Sequence, residues 1–529
     1  MNTKVNQYQN RNRNRIDRIC EAVSAWLDNE DGLLKRARDR TIAEGLFRPH
    51  DVDHMLGQIR QTVTRQTLTG WLERVCKEGG TQGSRAGSQH QSDSRKDANA
   101  QKADNTQHDA HPIDGSTRPK TLCLHAGNLP MVGLQDIIAV LLAGSIYYGK
   151  LSRNDPWLPD SLLQIIRQRM PDQAGRWSTR MEELEGIKAG RVLFAGSEAS
   201  VDAVIRRVHE LKLATETARF LPRTARLSMA WLTEEDFKAD EAVQKEEHPP
   251  EQDISTSKAG RPKKTGAAGN AQSSAGGSQP ASEGELYKQL VEAMLRYDGK
   301  GCRSVAVVIS AREWSDCAGP LMDALEAWLR DHPPGSDEKP GVRYWKNYLR
   351  AVDKEVYETG GHLITSEPDL MGKEGVICWL KGDEKEVARL AGHFGSQLQS
   401  VYVTRRMLME LSDKRKSSPI NAEHPAGGSH RTGPINTEYS VGGSYHTGSI
   451  NAEKSVAGNH RTGPINTEYS AAGSHHAGSI NAEHPVSGSP GIDEPRHATI
   501  RFEPLDQAQS PPIDWRPDGT DVLRWLLFG

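Results

Sequence analysis

Cys302 lies in Asp298-Gly299-Lys300-Gly301-Cys302-Arg303-Ser304, directly before the apolar run Val305-Ala306-Val307-Val308-Ile309. Glycines around a cysteine at the mouth of a strand permit unusual backbone angles and let a substrate come close. The thiolate is the reactive form of such a residue, and Lys300 and Arg303 supply neighbouring positive charge of the kind that lowers a thiol pKa. The competing reading is a small core residue at the start of a buried strand.

Other candidates lie upstream. Asn128 follows a short apolar stretch in His125-Ala126-Gly127-Asn128-Leu129-Pro130. Asparagine in such a setting commonly satisfies a turn, and His125 beside it reads as a helper of that turn. Lys150 and Ser152 end a predicted strand, where open α/β sheets bind ligands; a lysine there also serves as a plain strand-edge residue. Gly196-Ser197 precedes a predicted helix, whose first N–H groups suit a pyrophosphate or need an ordinary cap. The chain has neither GxGxxG nor a Walker A sequence. No general base can be placed; Glu367, in Ser366-Glu367-Pro368, reads as a solvated loop carboxylate.

The elements that must position these residues alternate. Strands are expected at Thr121–Leu124, Ser145–Leu151 and Arg191–Ala195, and helices at 132–143, from Asp155-Pro156, and after Gly196-Ser197. This alternation implies a doubly wound parallel sheet. A helix at Leu286–Leu295 precedes the Cys302 strand, followed by helix 321–329, strand 375–380, helix 384–391 and strand 397–403. The expected fold class is α/β, with a cofactor domain, an α/β catalytic domain and long disordered insertions. The expected division is 1–82 helical, 83–118 disordered, 119–240 dinucleotide-binding, 241–284 disordered linker, 285–411 catalytic, 412–496 disordered repeats, and 497–529 returning to the fold. The repeats are fifteen residues long, beginning at Ile420, Ile435, Ile450, Ile465 and Ile480, and His430–Ser440 recurs identically at His460–Ser470. With one large aliphatic residue per unit, they offer little surface to stack.

Bulk properties exclude several classes. A net charge of -3 over 529 residues gives no global field for nucleic acid or anionic membrane. The six cysteines (Cys20, Cys76, Cys123, Cys302, Cys317 and Cys378) are scattered without CxxC, against a disulfide framework or zinc site. Histidines in the repeats, such as His424 and His430, have no fixed metal geometry, and the single Gly260-Arg261-Pro262-Lys263-Lys264 reads as linker rather than a minor-groove hook. No metal, membrane span or secretory signal is expected. Free thiols suit a reducing cytoplasm.

Taken together, HAGNLPMVGLQD, GKLSRNDP, AGS and GKGCRS, with Gln507–Leu526, resemble the acyl-CoA reductase family that includes the fatty-acid reductase of bacterial luminescence, which is similar to aldehyde dehydrogenases. The resemblance covers the blocks Cys123–Asp155, Val192–Val204, Gly299–Val308 and Gln507–Leu526. It implies NADPH- or NADH-dependent reduction of a long-chain acyl-CoA to the aldehyde through acyl-Cys302. It further implies that Asn128 and the Cys302 N–H hold the oxyanion, that Lys150 and Ser152 face the adenosine ribose or its 2′-phosphate, and that Gly196-Ser197 takes the pyrophosphate. The implied partners are the coenzyme A thioester, a protein that transfers acyl groups or consumes aldehyde, and further copies of the chain. Ser304 departs from the family's asparagine. The alternatives are an aldehyde dehydrogenase oxidising to the acid, for which no Glu-Leu-Gly-Gly base is present, and an inactive relative acting as a scaffold.

Overall fold

The computed structural model describes residues 2–82, 118–247, 283–334, 339–417, 437–439 and 500–529. Four helices come first: α1 (Asn2–Leu27), α2 (Leu33–Ala43), α3 (Pro49–Thr62) and α4 (Arg65–Gln82). Ile16, Ile19, Val23 and Trp26 form one buried face of α1, at the three-to-four-residue spacing that brings side chains onto a common stripe.

The next elements are β1 (Lys120–Leu124), α5 (Leu134–Leu142), β2 (Ile146–Lys150), α6 (Trp157–Arg169), β3 (Ala174–Ser178), β4 (Ala189–Ala195), α7 (Val201–Glu210) and β5 (Ala214–Arg223). These strands form a five-stranded sheet in the order β3-β2-β1-β4-β5, parallel throughout. The chain winds outward one way from β1 and then the other way from β4. α5 is buried along its whole length apart from Gln135 and packs in one core with α1, α4 and α6. The opposite sheet face is covered from α7.

The second sheet is built from β6 (Leu227–Leu232), then, after α8 (Glu234–Glu247) and α9 (Glu283–Leu295), β7 (Val305–Ser310). It continues through α10 (Trp314–Asp331), α11 (Pro340–Ala351), β8 (Tyr357–Thr359), β9 (His362–Thr365), β10 (Val376–Lys381), α12 (Glu384–Phe394) and β11 (Leu398–Val403). α13 (Arg405–Ser417), β12 (Thr437–Tyr439) and β13 (Ile500–Pro504) complete it, and α14 (Val522–Phe528) returns to the core of α4 and α5. The eight strands run β12-β13-β11-β6-β7-β10-β9-β8, with antiparallel pairs only at the two edges. All six β6 residues are buried, as suits a strand covered on both faces. The fold class is therefore the expected α/β, with a doubly wound parallel sheet beside a second α/β layer.

The division of the chain needs correction. β6 lies in the second sheet, so the first sheet ends at Arg223 rather than near 240. α8 runs to Glu247 and α9 starts at Glu283, which trims the 241–284 linker. Likewise α13 continues to Ser417, and Thr437–Tyr439 from within the repeats pairs with β13. The rest of the repeats, the 83–117 insert, residues 248–282 and residues 497–499 lie outside the described residues. Among the described residues, no helix is long and apolar enough to cross a membrane.

Candidate active site

The first sheet changes winding direction between β1 and β4, and ligands of open α/β sheets bind beyond the strand ends at such a point. A cleft of about 490 Å³ opens there. His125–Leu129 line it after β1, Ala195–Ser197 after β4, and Cys302 faces it from the turn before β7. Asn128, Gly196, Ser197 and Cys302, far apart in sequence, thus share one cavity. Trp515, Pro517 and Asp518 close it from the C-terminal segment.

The nucleophile turn is tightly specified. Tyr297, Asp298 and Gly299 all have left-handed backbones, with φ of 58°, 58° and 66°. The Asp298 carbonyl accepts from Lys339 Nζ at 3.0 Å and contacts His362 Nε2 at 2.9 Å, and its carboxylate pairs with Arg48. Past the turn, Gly301 N donates to Ser304 Oγ at 3.2 Å and Ser228 Oγ to the Cys302 carbonyl at 3.0 Å. Ser304 thus fixes the loop without an asparagine amide.

Cys302 as a residue is partly exposed, but its thiol pKa is pushed up to about 11, first by burial and next by the charge of Asp518. Arg303 opposes this but does not prevail. Arg303 thus acts in the expected direction, with Arg223 rather than Lys300 as the second cation, but burial and Asp518 outweigh both. Arg303 turns away, donating Nε to the Ala508 carbonyl at 2.6 Å and stacking 4.3 Å from the Trp515 ring centroid. Lys300 is half-exposed and sits 3.4 Å from Asp298.

Asn128 donates Nδ2 to the Lys300 carbonyl at 2.7 Å. Its loop is held from beneath by the buried Asp155, which accepts the Met131 N–H at 2.6 Å. His125 is buried; Nε2 contacts the Tyr147 hydroxyl at 2.7 Å, and burial lowers its pKa to about 4. Its Nδ1 faces Gly133, where a Cβ would stand 1.9 Å away. Asp136, on the cleft wall, pairs with Arg223 at 2.5 Å.

Lys150 and Ser152 are not among the cleft-lining residues. Burial lowers the Lys150 pKa. Ser152 packs behind Gly127, so close that a Cβ there would meet its Oγ at 1.9 Å. Ser197 is exposed and leads into a 3-10 turn, Glu198–Ser200, ahead of α7, so the helix opens later than expected. Glu367 is away from the cleft, paired with Lys354 at 3.0 Å. Sequence reasoning missed Arg223, Gln399 and Asp518, which tertiary contacts alone bring to the cleft. Among the described residues no cluster suits a metal ion.

A second cavity of about 950 Å³ adjoins the first and shares Gly127, Asn128, Asn154, Arg226 and Lys300 with it. Ile42, Leu46, Phe47 and Met294 give it apolar walls, and Arg48 and Lys373 give it positive charge.

Fold and site define an α/β protein whose doubly wound sheet opens onto a cysteine-bearing cleft. No family model and no curated protein sequence matches the chain. Solved structures with a similar course include aldehyde dehydrogenase 21 from Physcomitrella patens, at 11% identity and TM-score 0.44, covering 77% of this chain and 76% of that one. A putative methylmalonate-semialdehyde dehydrogenase from Sinorhizobium meliloti, solved with NAD, gives 12% identity and TM-score 0.43, covering 77% and 75%. An indole-3-acetaldehyde dehydrogenase from P. syringae gives 12% identity and TM-score 0.37; that match covers 54% of this chain and only 56% of the dehydrogenase.

Proposed function

We propose that the protein is an oxidoreductase acting at the aldehyde level, and more specifically that it reduces an acyl-CoA to the aldehyde through acyl-Cys302. The observation that carries this reading is the meeting of Cys302 with the β1/β4 switch point in one cleft. The residues present fit a nicotinamide dinucleotide. Gly196 and Ser197 line the cleft just past β4, beyond the strand ends where such a ligand would lie. When bound, that group supplies the hydride.

The chain's own residues do the rest. The larger cavity takes the acyl-CoA with its thioester carbon at the residues shared with the Cys302 cleft, the apolar wall facing the acyl chain and Lys373 facing the phosphates of coenzyme A. Cys302 Sγ attacks the thioester carbon, and the coenzyme A thiolate leaves. Asn128 Nδ2 moves from the Lys300 carbonyl to the developing oxyanion, a donor worth on the order of 3 kcal/mol. After hydride addition, the carbon–sulfur bond to Cys302 breaks and the aldehyde departs.

The test is oxidation of NADPH and NADH by the purified chain, driven by a series of acyl-CoA thioesters, beside Cys302→Ala. Turnover with stoichiometric release of coenzyme A, lost in the variant, is the expected result. Efficient oxidation of aldehyde to acid, with no thioester-driven turnover, overturns the reductase reading and leaves the aldehyde dehydrogenase.

A further inference from the structure

Attack by a thiol held near 11 requires a proton acceptor. The other acceptors on the cleft wall are paired or sealed: His125 Nδ1 and Asp136 Oδ1 have no hydrogen-bond partner, but both atoms are buried. His125 has Nε2 on Tyr147 and Nδ1 against Gly133. Asp136 is paired with Arg223, and Glu367 lies outside the cavity. Asp518 is left, in the turn Pro517–Gly519 between β13 and α14, lining the same cleft as Cys302.

Its placement is built rather than incidental. Asp518 has φ of 49°, a left-handed backbone that costs an aspartate energy unless its surroundings enforce it. Oδ2 accepts the Thr224 N–H at 2.6 Å and the Ala225 N–H at 3.2 Å, both from the crossover joining the two sheets. With its amide nitrogen turned inward, Gln399 donates to Oδ1 at 2.8 Å. A carboxylate offers about four acceptor positions, so these contacts orient the group and leave room for a further proton. The charges acting on it are those of Arg223 from β5 and Arg501 from β13, and Arg303 and Arg223 both act on the thiol.

We propose that Asp518 is the proton acceptor for Cys302 in acyl transfer. Resting on the reductase reading, the step balances as follows. Asp518 takes the Sγ proton across the cleft while the Sγ–carbon bond forms. The bond to the coenzyme A sulfur breaks, and the proton passes to that departing thiolate. When the aldehyde later leaves, Cys302 Sγ takes up a proton from solvent water, relayed through the same carboxyl.

The test uses the full chain as wild type, Asp518→Asn and Asp518→Glu. Two rates are read: formation of octanoyl-Cys302 from octanoyl-CoA without dinucleotide, by intact mass, and alkylation of Cys302 by iodoacetamide against pH. Asparagine keeps an oxygen for the Thr224 and Ala225 N–H groups, and alkylation of Cys302 itself reports an intact cleft. In Asp518→Asn, loss of the neighbouring charge shifts the alkylation profile to lower pH, while acylation falls about 10²-fold or more. Asp518→Glu recovers part of the acylation. A merely repulsive carboxylate predicts that both rates rise together, and that result, or acylation unchanged in Asp518→Asn, overturns the proposal. An unmoved alkylation profile overturns it even if the wild type fails to acylate. Failure of the wild type alone, with the profile shifted, overturns the reductase reading and the acyl-transfer role with it.

Discussion

Asn128 and Lys300 are joined by a 2.7 Å hydrogen bond from a side-chain amide to a backbone carbonyl. It ties the loop after β1 to the turn that presents Cys302, and both residues line both cavities. Asn128→Ala removes this tie, at a cost to stability of about 1 kcal/mol. If the amide also serves the oxyanion, acyl transfer falls about 10²–10³-fold. Alkylation of Cys302 by iodoacetamide separates the two roles. It stays within about twofold of wild type when the loss is chemical, whereas a parallel fall in alkylation assigns Asn128 to structure alone.

Gly299 and Gly301 flank Lys300 but have different tolerances. At Gly299, φ is +66° and a Cβ would stand 2.9 Å from His362 Nε2 and 3.0 Å from the Met294 carbonyl. At Gly301 the nearest atoms are the Ser304 hydroxyl at 3.3 Å and a Leu129 methyl at 3.4 Å. Gly299→Ala is expected to lose about 1–3 kcal/mol in urea unfolding, and Gly301→Ala clearly less. Equal losses would show that the turn is not specified by its left-handed backbone.

The sequence made some of these elements easy to read and hid others. β1, β4 and β7 are short apolar runs between turn residues, so their periodicity is unambiguous. β5 escaped notice because Ala214–Arg223 is polar, half-exposed and contains Pro222, all of which an edge strand tolerates. β12 is three residues inside a polar repeat, and its partner lies some sixty residues on. In the candidate site, Cys302 stood out among its glycines, but its electrostatics did not. Lys300 and Arg303 are neighbours in sequence, yet Arg303 is drawn off by Ala508 and Trp515, while burial raises the thiol pKa first and a carboxylate from more than two hundred residues away raises it next. Ser152 was read at a ligand and lies behind Gly127 instead.

With its pKa near 11, the wild-type thiol should show no plateau in alkylation between pH 7 and 10. The rate should climb about tenfold per pH unit, following the thiolate fraction. Subtracting Cys302→Ala removes the contribution of the partly exposed Cys20 and Cys76. A plateau near neutrality would mean that the thiol is already ionised and requires no acceptor.

Asp155 offers a test by stability. Burial raises its carboxyl to about 7, above an unfolded value of about 3.9. Its favourable contribution is therefore complete below the unfolded value and is lost as pH rises through 7. His54, His125 and His362, each lowered to about 4 by burial, act in the opposite sense: their contribution is present above about 6.5 and lost as pH falls through 4. Asp155→Asn keeps an acceptor for Met131 and removes the charge. It should gain on wild type by on the order of 1–4 kcal/mol between pH 5 and pH 8. Urea midpoints at the two pH values check this, and a gap independent of pH would mean that the carboxyl is not titrating.

The last thirty residues begin as β13 in the second sheet, pass the cleft at Trp515–Asp518, and end as α14 against α4 and α5 beside the first. The pocket therefore gains its final wall only once residues 515–518 are in place. Until then β11 lacks a neighbour and α5 lacks its cover, so a nascent or prematurely terminated chain presents apolar surface to chaperones and proteases instead of a reactive cysteine in a finished site. The strap makes chemical competence conditional on residues 500–529 reaching both sheets.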